Sequence, residues 1–151
     1  YIAESSALLS NIAYVGDYDG GFYAVDLINK KIKWKYTNPQ GSSFLSSPSV
    51  FKNKVIIGSQ DKKVYCFNKN TGDIEWTYQT QGKIESSPVI MKDKVIISSK
   101  DGFIRFLKLD DGKLIYEFEV GTGIKSTPAV AGRMLAVGGE DGKVYLFYGK
   151  E

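Results

Sequence analysis

A chain of 151 residues with 42% apolar and 25% charged residues is long enough for a sizeable core and has the make-up of an ordinary globular protein. Its formal charge is only +3 and its basic residues are scattered singly, which argues against a nucleic-acid or anionic-membrane surface. No apolar stretch reaches the roughly 18 residues of a bilayer span, and direct membrane insertion is not expected.

The chain opens on Tyr1 with no leader-like series of charged, apolar and small residues, so a segment upstream is expected and the compartment is not legible from this end. The first predicted unit, residues 5–45, runs from a worn "SSA" through the apolar triplet "AYV", the turn "GDYDGG", the run "FYAV" and the segment holding Trp34. Residues 46–85 repeat the series as "SSP", "VII", "GSQDKK", "VYCF" and Trp76. Residues 86–125 repeat it again as "SSP", "VII", "SSKDGF", "IRFL" and Tyr116, and residues 126–151 as "STP", "LAV", "GGEDGK" and "VYLF". The anchoring aspartates, Asp19, Asp61, Asp101 and Asp141, are 42, 40 and 40 residues apart. A fixed period of this length is the mark of a repeat architecture, and here it fills one region spanning 1–151.

Each unit reads as four short strands. "KDG" and "EDG" between the second and third strands, and "NKNTGD" and "LDDGK" between the third and fourth, are tight-turn chemistry, because aspartate bonds nearby backbone and glycine tolerates positive φ. β-branched and aromatic residues lie between these turns, and no helical stripe of ten or more residues is present. The fold class is therefore all-β. Small antiparallel sheets cannot bury both faces alone and must stack, and a β-propeller of four-stranded blades stacks them while protecting their edges. The aromatic residue recurring as Trp34, Trp76 and Tyr116 is expected to fill the gap between neighbouring blades, burying on the order of 150–250 Å² each time.

The segments "VDLINKKIKW", "FNKNTGDIEW" and "LKLDDGKLIY", each preceded by an aspartate turn and followed by a "SSP"-type signal, resemble the pyrroloquinoline-quinone-like propeller repeat. The resemblance covers almost the whole chain. It implies a fold and leaves open an activity, because this repeat occurs in quinoprotein dehydrogenases and in non-enzymatic members such as the outer-membrane assembly lipoprotein propeller. The Trp-Asp type of propeller is a poorer match, since that dipeptide and its Gly-His partner are absent.

In the dehydrogenases, the resemblance implies, the quinone is held with a vicinal cysteine pair, a calcium ion and a catalytic aspartate. Here Cys66 stands alone, so neither that pair nor an internal disulfide can form. The four aspartates recur by repetition, which fits turn residues better than a single catalytic or metal carboxylate. With no histidine in the chain, a c-type haem attachment and histidine acid–base or metal chemistry are excluded. "GGFYAV" and "VGTGIK" lead into no helix and lack phosphate-cradling geometry. The "SSP" serines have no evident base, and the following proline marks the start of a strand. Cys66 shares its repeat position with Ala24, Phe106 and Leu146 and is expected to be a small buried hydrophobe. No catalytic, cofactor or metal residue is assigned.

Departures from the repeat carry the remaining information. The first unit has two extra residues in "YTNPQGSSFLSSP" and no glycine in its third turn, and the third places Arg105 where the others have tyrosine. Loops after the second and fourth strands of antiparallel blades emerge on one face. Function concentrates in loops on a rigid scaffold, so Tyr18, Gln40, Gln60 and Lys100 of that face are the candidate partner-binding residues. The fourth unit ends before its tryptophan strand, giving about four blades, against the seven or eight that the resemblance implies. An excerpt of a longer propeller is the leading expectation; a self-closed four-blade ring and a homodimer completing an eight-blade ring are the alternatives.

The expected function is that of a non-catalytic scaffold binding a protein or small ligand on its loop face, extracytoplasmic or in the cell envelope by family resemblance. A quinoprotein dehydrogenase fragment with its cofactor residues elsewhere, and the sensor domain of a signalling protein, are the alternatives.

Overall fold

The computed structural model describes residues 1–2 and 5–149. Every element among them is a β-strand, in four antiparallel sheets that follow the repeat. Blade one holds β1 (Ala7–Leu9), β2 (Ile12–Gly16), β3 (Gly21–Asp26) and β4 (Lys31–Thr37). Blade two holds β5 (Ser49–Phe51), β6 (Lys54–Gly58), β7 (Lys63–Asn68) and β8 (Ile74–Gln79). Blade three holds β9 (Val89–Met91), β10 (Lys94–Ser98), β11 (Phe103–Lys108) and β12 (Leu114–Glu119). Blade four holds β13 (Ala129–Ala131), β14 (Met134–Gly138) and β15 (Val144–Tyr148). Strands pair in chain order within each sheet, and β5 lies beside both β1 and β9, so the first strands of successive blades are neighbours. This is the β-propeller arrangement.

The core lies between blades, where period-two alternation sends one side chain set to each neighbour. Tyr14, Phe22, Ala24 and Trp34 of blade one meet Val55, Ile57, Tyr65 and Phe67 of blade two. Ile56, Val64 and Cys66 of blade two meet Val95, Ile97 and Leu107 of blade three. The repeating tryptophan does what its position suggested. Each indole crosses to the next blade, where Trp34 Nε1–H donates to Lys69 O at 2.9 Å and Trp76 Nε1–H to Leu109 O at 3.0 Å. The ring lies against the third-turn glycine of that blade: a Cβ on Gly72 would come within 2.7 Å of Trp34, and one on Gly112 within 2.5 Å of Trp76. Both glycines also hold positive φ, at +80° and +70°. In blade one, Lys30 occupies the same turn position with φ 51°, so the left-handed turn survives loss of the glycine at a conformational cost.

Tyr116 behaves differently from the tryptophans. Its ring turns back to stack on Phe106, with centroids 4.3 Å apart, and is 42% exposed. A cleft of about 220 Å³ opens there between blades three and four, among Met91, Phe106, Tyr116, Phe118 and Phe147.

Candidate functional site

The loops after β2, β6, β10 and β14 share a face with the linkers that join one blade to the next, and backbone bonds lock the two sets together. Phe44 N–H donates to Asp17 O and Gln60 N–H to Ser43 O, both at 3.0 Å, so one linker is fastened to two consecutive blades. The next linker repeats this with Ile84 N–H to Ser59 O and Lys100 N–H to Lys83 O, and the third with Ile124 N–H to Ser99 O and Glu140 N–H to Gly123 O. A surface built this way is a rigid platform.

Turn aspartates form the layer beneath it. Asp61 accepts Lys63 N–H at 3.0 Å, the Tyr65 hydroxyl, and Asn38 Nδ2–H at 2.8 Å from the preceding linker. Asp101 accepts Phe103 N–H at 3.1 Å, the Ser99 hydroxyl, and Gln81 N–H at 2.9 Å, again from the preceding linker. Asp141 accepts Lys143 N–H at 3.2 Å and the Tyr145 hydroxyl at 2.8 Å. Each carboxylate therefore orders its own turn, and Asp61 and Asp101 also staple their blade to the one before. Burial, reinforced by the Asp61 bond, pushes the Tyr65 hydroxyl far above its usual range.

Blade one corrects the sequence reading. Asp19 falls in register with the other three aspartates, but the carboxylate that does their work is Asp17, which accepts Gly21 N–H at 2.6 Å and the Tyr23 hydroxyl at 2.8 Å. Asp19 gives its backbone N–H to Asp17 at 2.9 Å. "DYD" offers two carboxylates two residues apart, and the four-residue spacing from Asp19 to Tyr23, the same as in Asp61–Tyr65 and Asp141–Tyr145, points to the one that does not reach it.

In blade three, arginine replaces the tyrosine. Arg105, 5% exposed, pairs through Nη1 with Asp101 at 2.9 Å and through Nε with Glu117 at 2.8 Å. Burial alone would raise the Asp101 carboxyl, yet bonds from Arg105, Ser99 and Gln81 and the guanidinium charge hold it below the usual carboxylate range.

The serines that begin each unit are structural as well. Ser46 Oγ accepts Gly58 N–H at 2.9 Å and Ser126 Oγ accepts Gly138 N–H at 2.8 Å, while Ser86 Oγ–H donates to Ser98 O at 2.6 Å. Cys66 is fully buried, and burial pushes its thiol up to about 12, which leaves it protonated and inert at neutral pH.

Above this layer lies a polar ladder. Gln60 Nε2–H donates to Glu85 Oε1 at 3.2 Å, and Lys100 Nζ pairs with the same oxygen at 3.1 Å, so blades two and three share one carboxylate. Lys125 Nζ pairs with Glu140 Oε1 at 3.2 Å one step further round, and that bond raises the Lys125 ammonium above its usual value. Of the four residues singled out in the sequence, Gln60 and Lys100 are thus brought together. Tyr18 is exposed on blade one, where its carbonyl accepts the Ser43 hydroxyl at 2.7 Å, and Gln40 is exposed in the first linker, where its N–H donates to Asn38 Oδ1 at 2.9 Å. Glu85 and the Lys125–Glu140 pair were missed because Glu85 and Lys125 lie in linkers, and the loop side chains they reach are set by the three-dimensional arrangement.

The donor set does not suit a quinone site of the dehydrogenase kind. The chain has one cysteine, the recurring carboxylates are engaged by turn and linker donors, and among the described residues no group of three His, Cys, Asp or Glu side chains could hold a metal ion.

The comparisons with known proteins agree with the propeller fold. The chain superimposes on BamB from Moraxella catarrhalis with a TM-score of 0.88 and 22% identity, covering 97% of this chain and 50% of that one. It therefore spans about half the length of that relative. The computationally designed Ika4 protein superimposes with a TM-score of 0.86 at 21% identity, over 98% of this chain and 91% of Ika4. Quinohemoprotein alcohol dehydrogenase from Comamonas testosteroni superimposes with a TM-score of 0.79 at 16% identity, over 92% of this chain and 29% of the enzyme. No curated protein sequence matches the chain. Residues 36–150 match the profile of the pyrroloquinoline-quinone-like repeat family described as outer membrane protein assembly factor BamB, and the chain belongs to that family.

Proposed function

We propose that the chain is a non-catalytic propeller segment of a larger cell-envelope protein, and that its loop face is a binding platform for a protein or small ligand. The observation that carries this reading is a division of labour among polar residues. The recurring aspartates and serines are tied into turns and linkers, whereas Tyr18, Gln40, Gln60 and Lys100, with Glu85, Lys125 and Glu140, differ from blade to blade on a locked surface. A surface whose side chains vary while its backbone repeats is suited to recognising one partner. Its mechanism is presentation, with no bond made or broken. An extracytoplasmic setting is supported by the family description, which names an outer-membrane assembly factor.

The test is cross-linking of the protein to a cell-envelope extract from the source organism, with two sets of alanine variants. Replacing Tyr18, Gln40, Gln60 and Lys100 together is expected to remove the captured partner, while replacing Lys52 and Lys92, which lie in the β5–β6 and β9–β10 turns of the opposite face, is expected to leave it. The reverse result would move the platform to the other face. A second reading is kept by the structural likeness to the quinohemoprotein dehydrogenase. In that case the cofactor residues belong to other blades, and the intact protein would show quinone absorbance.

A further inference from the structure

Left-handed turns held by residues other than glycine are concentrated on the face opposite the loop platform. The turns after the first and third strands of each blade emerge there, and each has one residue at positive φ. After the first strands it is Ser10, Lys52, Lys92 and Gly132, at 55°, 54°, 56° and 58°; after the third it is Lys30, Gly72 and Gly112, at 51°, 80° and 70°. Glycine adopts this conformation freely, and asparagine or aspartate offsets its cost with a local hydrogen bond. Lysine does neither. Three lysines thus hold strained positions that the same repeat fills with glycine elsewhere, and strain kept at a surface points to a use for the side chain that keeps it.

Lys30, Lys52 and Lys92 are exposed, and among the described residues none of them is in an ion pair. Lys52 and Lys92 belong to blades two and three, which have a blade on either side, so neither turn lies at an end of the stack. The acidic residues of this face are mostly taken up. Asp93 pairs with Lys94 at 3.2 Å, Asp111 with Lys113 at 2.9 Å and Glu75 with Lys54, while Asp26 accepts Ile28 N–H at 3.0 Å and Asn29 N–H at 2.9 Å, leaving Asp73 and Asp110. Apolar side chains stand among the lysines. Ile28, 67% exposed, tips the third turn of blade one where blades two and three have the exposed Asn70 and Asp110, and Phe51, 39% exposed, has Lys52 Nζ 5.5 Å from its ring centre. Basic residues scattered singly along the sequence are gathered by the fold, so the anionic-membrane surface that their spacing argued against takes shape in three dimensions.

We propose that this face docks on the surface of a bilayer containing anionic lipids, with the ammonium groups of Lys30, Lys52 and Lys92 among the lipid phosphates and Ile28 and Phe51 entering the headgroup layer. Ammonium groups on long apolar stems reach phosphates without a fixed geometry, and apolar tips beside them gain burial at the interface. Two-residue turns at equivalent repeat positions set Lys52 and Lys92 at one height, which suits a planar target. A nucleic acid calls for a continuous basic stripe, and here apolar tips interrupt the lysines. The docked face leaves the loop face free, so the proposal stands or falls separately from the platform reading.

The experiment is co-sedimentation of the intact protein with vesicles of phosphatidylglycerol and phosphatidylethanolamine, and with phosphatidylcholine vesicles, at low and high salt. Binding is expected to the anionic vesicles at low salt, and to weaken about a hundredfold when Lys30→Gly, Lys52→Gly and Lys92→Gly are combined, the loss that three ammonium groups near a charged surface account for. Glycine relaxes these turns, so the urea midpoint of the triple variant should hold or rise while its vesicle affinity falls, a combination that a merely structural role would not give. Lys62→Gly makes the same exchange on the loop face, where Lys62 has φ 71° and its counterparts are Gly20, Gly102 and Gly142, and is expected to leave vesicle binding unchanged. No binding to the anionic vesicles, equal binding to phosphatidylcholine, or undiminished binding by the triple variant would overturn the proposal. Displacement from the vesicles by an equal charge of polyglutamate or single-stranded DNA would overturn the bilayer as occupant and assign the face to an acidic protein or a nucleic acid.

Discussion

Replacing Trp76 by alanine is expected to cost about 3–5 kcal/mol of stability, the range for removing a large aromatic from a core. Its indole is 8% exposed, lies against Gly112 of the next blade and gives its N–H to Leu109 O. Truncation therefore opens a cavity between blades two and three and strands a buried carbonyl. Trp76→Phe keeps most of the volume and loses the N–H, and about 1–3 kcal/mol is expected, the cost of an unsatisfied buried acceptor. Urea unfolding followed by far-UV circular dichroism measures both, independently of the fluorophore removed. A loss under about 1 kcal/mol for the alanine variant would mean that the ring merely decorates the blade instead of joining it to its neighbour.

Asp101→Ala is expected to be as damaging, about 3–5 kcal/mol, because it leaves the buried Arg105 guanidinium with Glu117 as its remaining carboxylate partner. It also removes the acceptor for Phe103 N–H and for Gln81 N–H of the linker, so blades two and three lose a staple together with a turn. Arg105→Tyr is expected to cost much less, since it rebuilds the tyrosine–aspartate pair that blades two and four already use. The pH dependence has a definite sign. A carboxyl held below its usual value when folded adds stability that is present above the unfolded carboxylate pKa of about 3.9 and is lost as pH falls through the folded value. Urea midpoints across the acid range should thus fall less steeply for Asp101→Asn than for the unaltered chain. Parallel curves would mean that the carboxylate is not ionised in the folded state.

Much of this was legible in the sequence for a physical reason: a repeat writes each structural role several times. Trp34 and Trp76 declared themselves as blade-to-blade packing by recurring between strand-like runs, and Asp61, Asp101 and Asp141 as turn residues by recurring beside glycine or lysine. What recurs with altered chemistry was harder to see. One linker position holds Phe44, Ile84 and Ile124, and its meaning appears only when Gly16 and Gly58 are seen beneath Phe44 and Ile84. Asp17 was hidden by Asp19, because register along the chain selects the residue in line while the hydroxyl of Tyr23 selects the one in reach. Gln60 and Lys100 were found as non-recurring residues on the loop face, but Glu85, which joins them, comes from a linker 15 to 25 residues away in the chain and needed three-dimensional geometry.

The most direct test of the division between staples and platform is a calorimetric titration of the intact protein with pyrroloquinoline quinone in the presence of calcium. No saturable heat is expected, since the turn aspartates are already engaged by backbone, hydroxyl and guanidinium donors. Stoichiometric binding that Asp61→Asn or Asp141→Asn abolishes, while the fold persists, would contradict it and turn the repeating carboxylates from staples into a cofactor site.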